Sequence, residues 1–136
     1  MEISRPEAIL IVDDDERYVR ALAQELRSLG FPFVYRATSA PEAMAMLDRV
    51  HPTVMLTNIV EHEKSGREIV ARAKQLGASV AVIGSRTDLL TEEFEIPLED
   101  KSKVTGDVLK ALVFDLISHA RRRSRDSVRM SQTRVA

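Results

Sequence analysis

Ile9-Leu10-Ile11-Val12-Asp13-Asp14-Asp15 is the stretch that decides the fold. Four apolar residues without a polar break are too few for a helix. They also lack the in-and-out alternation of a half-exposed strand, and so read as a strand covered on both faces. Such strands belong to parallel sheets with helices on either side. A second run, Val54-Met55-Leu56-Thr57, ends in the same manner on Asn58. Parallel strands carry their carboxyl ends to one edge of the sheet, which is where α/β folds place their ligands. If these two strands are neighbours, Asn58 faces the acids. An aspartate at 58 would be a nucleophile beside a metal site, and an asparagine changes what that edge can do.

Outward from these runs, strand and helix patterns alternate. Residues 16–29 place Val19, Leu22, Ala23, Leu26 and Leu29 on one helical face, stopped by Gly30. Residues 33–37 form a second strand. Ser39-Ala40-Pro41-Glu42 is a capping box with proline in the first turn, opening a helix through Met44, Leu47 and Val50 that ends at His51-Pro52. A third helix starts around Ser65-Gly66-Arg67-Glu68, turns Ile69, Val70 and Ala73 inward and stops at Gly77. Val80-Ala81-Val82-Ile83 is a fourth buried strand. Phe94, Ile96 and Leu98 alternate with Glu95 and Pro97, which predicts a fifth strand at a sheet edge, where proline is tolerated. Thr105 caps a last helix whose inward residues are Val108, Leu109, Leu112, Val113, Leu116 and Ile117. Strands alternating with helices imply right-handed βαβ units and a parallel sheet covered on both sides.

The strand-plus-acids run 9–16, the segment His51-Pro52-Thr53-Val54-Met55-Leu56-Thr57-Asn58-Ile59 and Gly66 together resemble the receiver domains of two-component response regulators, over most of residues 8–117. The separation of the two motifs makes the resemblance specific; either one alone is weak. It implies a five-stranded (βα)5, flavodoxin-like fold with strand order 2-1-3-4-5. It also implies a chemistry: phosphoryl transfer from a histidine kinase or small phosphodonor to an aspartate ending strand three. An acid pair would hold Mg2+, a Thr or Ser would end strand four, and a Lys would end strand five.

Carried over position by position, the resemblance breaks at the chemistry. Asp13 and Asp14 match the acid pair. Asn58 falls on the phosphoacceptor, and its amide nitrogen, with its lone pair delocalised into the carbonyl, does not form an acyl phosphate. Gly84 falls on the hydroxyl-bearing switch position. Lys101 matches the lysine in an ungapped comparison, with Lys103 as competitor, although that match leaves Glu99-Asp100 where an apolar strand is expected. The span from Gly84 to Lys101 is short, so the fourth helix, around residues 85–93, is expected to be shortened or missing. Weak Mg2+ binding at Asp13 and Asp14 stays open beside the plainer reading, in which the acids cap the first helix. No cofactor is required.

Composition narrows the function classes. The 136 residues suit one domain, and the absence of cysteine excludes disulfides and thiolate chemistry. No apolar run is long enough for a membrane span, and no signal-peptide pattern begins the chain, so a cytoplasmic location is the default. Residues 118–136 carry six Arg against Asp126, a net of +5; residues 1–117 hold 14 Lys and Arg against 20 acids, a net of −6. The expected organisation is a receiver-like domain over 1–117, then a basic extension over 118–136, either a continuation of the last helix or a flexible tail. His62 reads as a solvated loop residue, His51 as structural and His119 as exposed. No nucleophile–base pair or Gly-rich phosphate loop supports an enzyme. The leading expectation is a non-phosphorylatable pseudo-receiver, a protein-interaction module in bacterial two-component-type signalling. Its partner would be a histidine kinase, another regulator or a second copy. The alternative is a nucleic-acid-binding regulator using the Arg-rich tail, which the acidic body and the lack of interleaved aromatics disfavour.

Overall fold

The computed structural model describes residues 7–58, 63–84 and 94–133. The chain runs β1 (Ala8–Val12), α1 (Glu16–Ser28), β2 (Phe33–Ala37), α2 (Ala40–Val50), β3 (Val54–Thr57), α3 (Glu63–Gln75), β4 (Ser79–Gly84), β5 (Leu98–Asp100) and α4 (Gly106–Thr133). The five strands form one parallel sheet in the order β2-β1-β3-β4-β5. The first strand thus lies between β2 and β3, and the chain reverses its direction of winding beside it. Val12 pairs with Thr57, and Thr57 with Val82, so Asp13 and Asn58 leave the sheet side by side.

The strands β1, β3 and β4 each feed two cores. Ile9 and Ile11 of β1, Val54 and Leu56 of β3, and Ala81 and Ile83 of β4 pack against α1 and α4. Leu10, Val12, Met55, Val80 and Val82 pack on the opposite face with Leu47 of α2 and Ile69 of α3. This is why the strand sequences are apolar without alternation. Burying each large side chain stabilises the fold by roughly 1.5–3 kcal/mol.

The helix ends follow their local sequences. Asp15 is the N-cap of α1, its carboxylate accepting from the backbone N–H of Arg17 and Tyr18. Ser39 caps α2 by accepting from Glu42 N–H. His51 ends α2 in the left-handed region, with φ 51°. Gly66 sits in the first turn of α3, which begins at Glu63, two residues before the expected start.

Two sequence expectations are corrected. The fifth strand is Leu98–Asp100, not the alternating segment 94–98. The Pro97 carbonyl accepts from Val82 N–H as the chain joins the sheet, and Leu98, Glu99 and Asp100 pair with Val82, Ile83 and Gly84. Ile96 and Phe94 spend their apolar surface on the α2–α3 core instead. Acidic residues are tolerated in β5 because it is an edge strand, where charge also discourages pairing with another chain. The second correction is Val108, which is 49% exposed. The buried face of α4 follows Leu109, Leu112, Val113, Leu116 and Ile117, one residue out of phase with it. The expected shortening of a helix around 85–93 lies outside the described residues, as does His62.

The last helix is continuous across residue 118 and spans 28 residues, about 42 Å. Its basic stretch begins on the body. Arg121 is paired with Glu7, ahead of β1, and the Arg123 guanidinium donates to Ser79 Oγ at 2.8 Å, at the start of β4.

Candidate functional site

The carboxyl edge of the sheet gathers Asp13, Asn58, Gly84 and Lys101 from four strand ends. Asp13 follows β1 and is 1% exposed, which demands partners for a charged group. Its Oδ1 accepts from Asp15 N–H at 2.9 Å. Its Oδ2 accepts from the Lys101 ammonium at 2.9 Å and faces Asn58 Nδ2 in a longer contact of 3.5 Å. A carboxylate is an acceptor only, so the amide must turn its nitrogen toward Asp13. Asn58 itself is held by its backbone N–H donating to Val12 carbonyl oxygen at 2.8 Å.

Turning the amide nitrogen to Asp13 sends Asn58 Oδ1 toward β4. A Cβ placed on Gly84 would lie 2.9 Å from that oxygen, closer than side-chain carbons approach. The two departures noted in the sequence are therefore coupled. For a side chain to enter at 84, the Asn58 amide would have to turn away from the rotamer that serves Asp13.

Of the two candidate lysines, Lys101 reaches the site, whereas Lys103 is exposed and sits beside Asp100. Lys101 is placed by its backbone N–H, which donates to Gly84 carbonyl oxygen at 3.0 Å directly after β5. Asp100 fastens the following turn by accepting from both Ser102 N–H and Ser102 Oγ, and these bonds hold its carboxyl below the usual carboxylate range. The Lys101 ammonium also lies 4.0 Å from the centre of the Tyr18 ring, a cation–π contact. Asp14 is exposed, and Asp15 is committed to capping α1.

Tyr18 is the site residue that sequence reasoning missed. Its α1 position is a step off the apolar face, and nothing in a linear pattern announces that a lysine 83 positions later will rest on its ring. Burial pushes its phenol up to about 12, with the negative charges of Asp13 and Glu25 adding to the shift. The hydroxyl oxygen is buried and has no hydrogen-bond partner among the described residues. Glu25, also unforeseen, ties α1 to α4 by accepting from Gly106 N–H at 2.5 Å.

Divalent metal chemistry does not fit this donor set. Mg2+ requires oxygen ligands in near-octahedral array. The one fully buried carboxylate among the described residues, Asp13, is met by an ammonium, an amide NH2 and a backbone N–H, all donors. Among the described residues no group of three or more His, Cys, Asp or Glu side chains converges to hold a metal.

No family model matches the chain. It is 33% identical over 125 residues to the sensor histidine kinase RcsC of Escherichia coli strain K12, an alignment taking in 88% of this chain but 13% of that protein. The chain thus spans a small part of the length of that relative. Among solved structures, the signal receiver domain of a modulated diguanylate cyclase from Desulfovibrio desulfuricans G20 superimposes with a TM-score of 0.75 at 21% identity, covering 88% of this chain and 99% of that one. A CheY-like response regulator receiver domain protein from Methanospirillum hungatei JF-1 gives 0.74 at 20% identity, with the same coverage. With its parallel sheet in the order 2-1-3-4-5, the chain has the fold of the response-regulator receiver domains.

Proposed function

We propose that this chain is a pseudo-receiver, a module of two-component-type signalling that works by binding a partner and not by accepting a phosphoryl group. The observation that carries the reading is the pairing of Asn58 with Gly84. The position that would attack phosphorus is an amide whose carbonyl oxygen fills the space beside a residue with no side chain. An amide has no nucleophilic oxygen anion to offer, and the neighbouring strand end has no hydroxyl to steady a phosphoryl oxygen. The receiver fold then loses the charge change that biases it between two states. In this reading residues 1–117 are the receiver unit and 118–136 its basic extension. The partner is a histidine kinase, another regulator or a second copy of the chain.

Recognition of nucleic acid by the basic segment is less well supported. Arg121 and Arg123 are engaged with Glu7 and Ser79 on the body, so part of the basic stretch already has protein partners. Among the described residues no helix is long and apolar enough to cross a membrane.

The test is incubation of the full chain with a small phosphodonor and Mg2+, followed by intact mass. An unchanged mass is expected. A stable gain of one phosphoryl group mapping to residue 58 or its neighbours would overturn the proposal.

A further inference from the structure

We infer that Lys101 is the resident cation of the acid pocket, and that it closes Asp13 to divalent metal. The inference deepens the proposed function and rests on the same pocket, but it concerns charge balance and not phosphoryl chemistry. A buried carboxylate needs a counter-charge, since an unpaired one costs several kcal/mol in a protein interior. Asp13 has a side-chain exposure of 2%, and the only counter-charge the described residues show against it is Lys101, at 2.9 Å with 28% exposure.

The lysine is also preorganised for that role. Its backbone is fixed to Gly84, the turn behind it is closed by Lys103 N–H donating to Asp100 carbonyl oxygen at 2.9 Å, and its ammonium rests over the Tyr18 ring. Little ordering entropy is therefore lost when the ion pair forms. A divalent ion using Asp13 would have to displace the ammonium or sit beside it, and two cations sharing one carboxylate repel strongly in a partly buried site. Asn58 makes this worse for a metal. It brings no negative charge, and its NH2 group points at the same carboxylate oxygen. The ion pair also joins β1 to the segment after β5, so that removing the cation would loosen the β5–α4 connection as well as uncover the acid.

Mn2+ binding, followed by the loss of its free paramagnetic signal, tests this on the full chain. The wild type is expected to show no binding that depends on Asp13. Lys101→Met is expected to gain a Mn2+ site at least about ten-fold tighter than anything in the wild type. That site should disappear when Asp13→Asn is added to Lys101→Met. Asp13-dependent Mn2+ binding by the wild type overturns the inference, and so does a folded Lys101→Met protein that binds no Mn2+. Should Lys101→Met fail to fold, the wild-type melting temperature with and without Mn2+ decides. No change supports the resident cation; a rise that Asp13→Asn abolishes overturns it. A metal found in this way, with no phosphoryl gain from the phosphodonor, would remove this inference and leave the pseudo-receiver reading standing.

Discussion

At the scale of single residues, the pocket is a set of mutual dependencies. Asp13 orients Asn58, the Asn58 oxygen lies against the place of a side chain at 84, and Lys101 supplies the charge that burial of Asp13 requires. Gly84→Ala should therefore turn the Asn58 amide and cost about 0.5–1.5 kcal/mol, the worth of its contact with Asp13. In an Asn58→Ala background the same change should cost much less, because the clashing oxygen is gone; denaturant melts of the four proteins check this. Tyr18 yields a pH prediction. Its phenol is raised from the model-compound 10.0 to about 12 in the fold, so between those values the unfolded chain has lost a proton that the native state keeps. The contribution is complete below pH 10 and is lost as pH rises toward about 12. Stability should fall over that interval, and Tyr18→Phe should remove that part of the fall. Because the hydroxyl has no partner among the described residues, Tyr18→Phe should also cost little at neutral pH. Urea midpoints of the two proteins across the alkaline range would show both effects.

At the scale of elements, the signals that worked were local ones. Capping by Asp15 and Ser39, the apolar runs of β1, β3 and β4, and the buried face of α1 were legible because each depends on residues a few positions apart. The fifth strand was misplaced because alternation in Phe94–Leu98 reflects a segment burying Phe94 and Ile96 against α2 and α3, not a strand. The true strand carries Glu99 and Asp100, and only its place at the sheet edge makes those acids acceptable. Val108 was misassigned for a related reason: the boundary of a helical face is set by what packs against it. The end of α2 offers a prediction. His51 is exposed, has φ 51° and precedes Pro52, which restricts its backbone further. His51→Gly should stabilise the protein by about 0.5–1 kcal/mol, read as a rise in melting temperature.

At the scale of the whole molecule, two strand-end motifs pointed to the neighbouring of Asp13 and Asn58, and the resemblance they carry implied the strand order and the positions 84 and 101, whereas the closing of the pocket was not legible. That Asn58 and Gly84 occupy one space, and that Lys101 and not Lys103 reaches Asp13, depend on contacts between β1, β3, β4 and β5 that no linear spacing encodes. The resulting picture is a receiver fold in which, on the proposed reading, the amide at 58 holds the pocket in a single charge state. The helix α4 that leaves it begins its basic stretch anchored to the body through Arg121 and Arg123. Amide NMR spectra of the uniformly labelled chain, recorded before and after adding a small phosphodonor with Mg2+, test this most directly. Superimposable spectra are expected, with Asn58, Gly84, Lys101 and β5 unmoved. A coherent set of shifts running from Asn58 to β5 would contradict it.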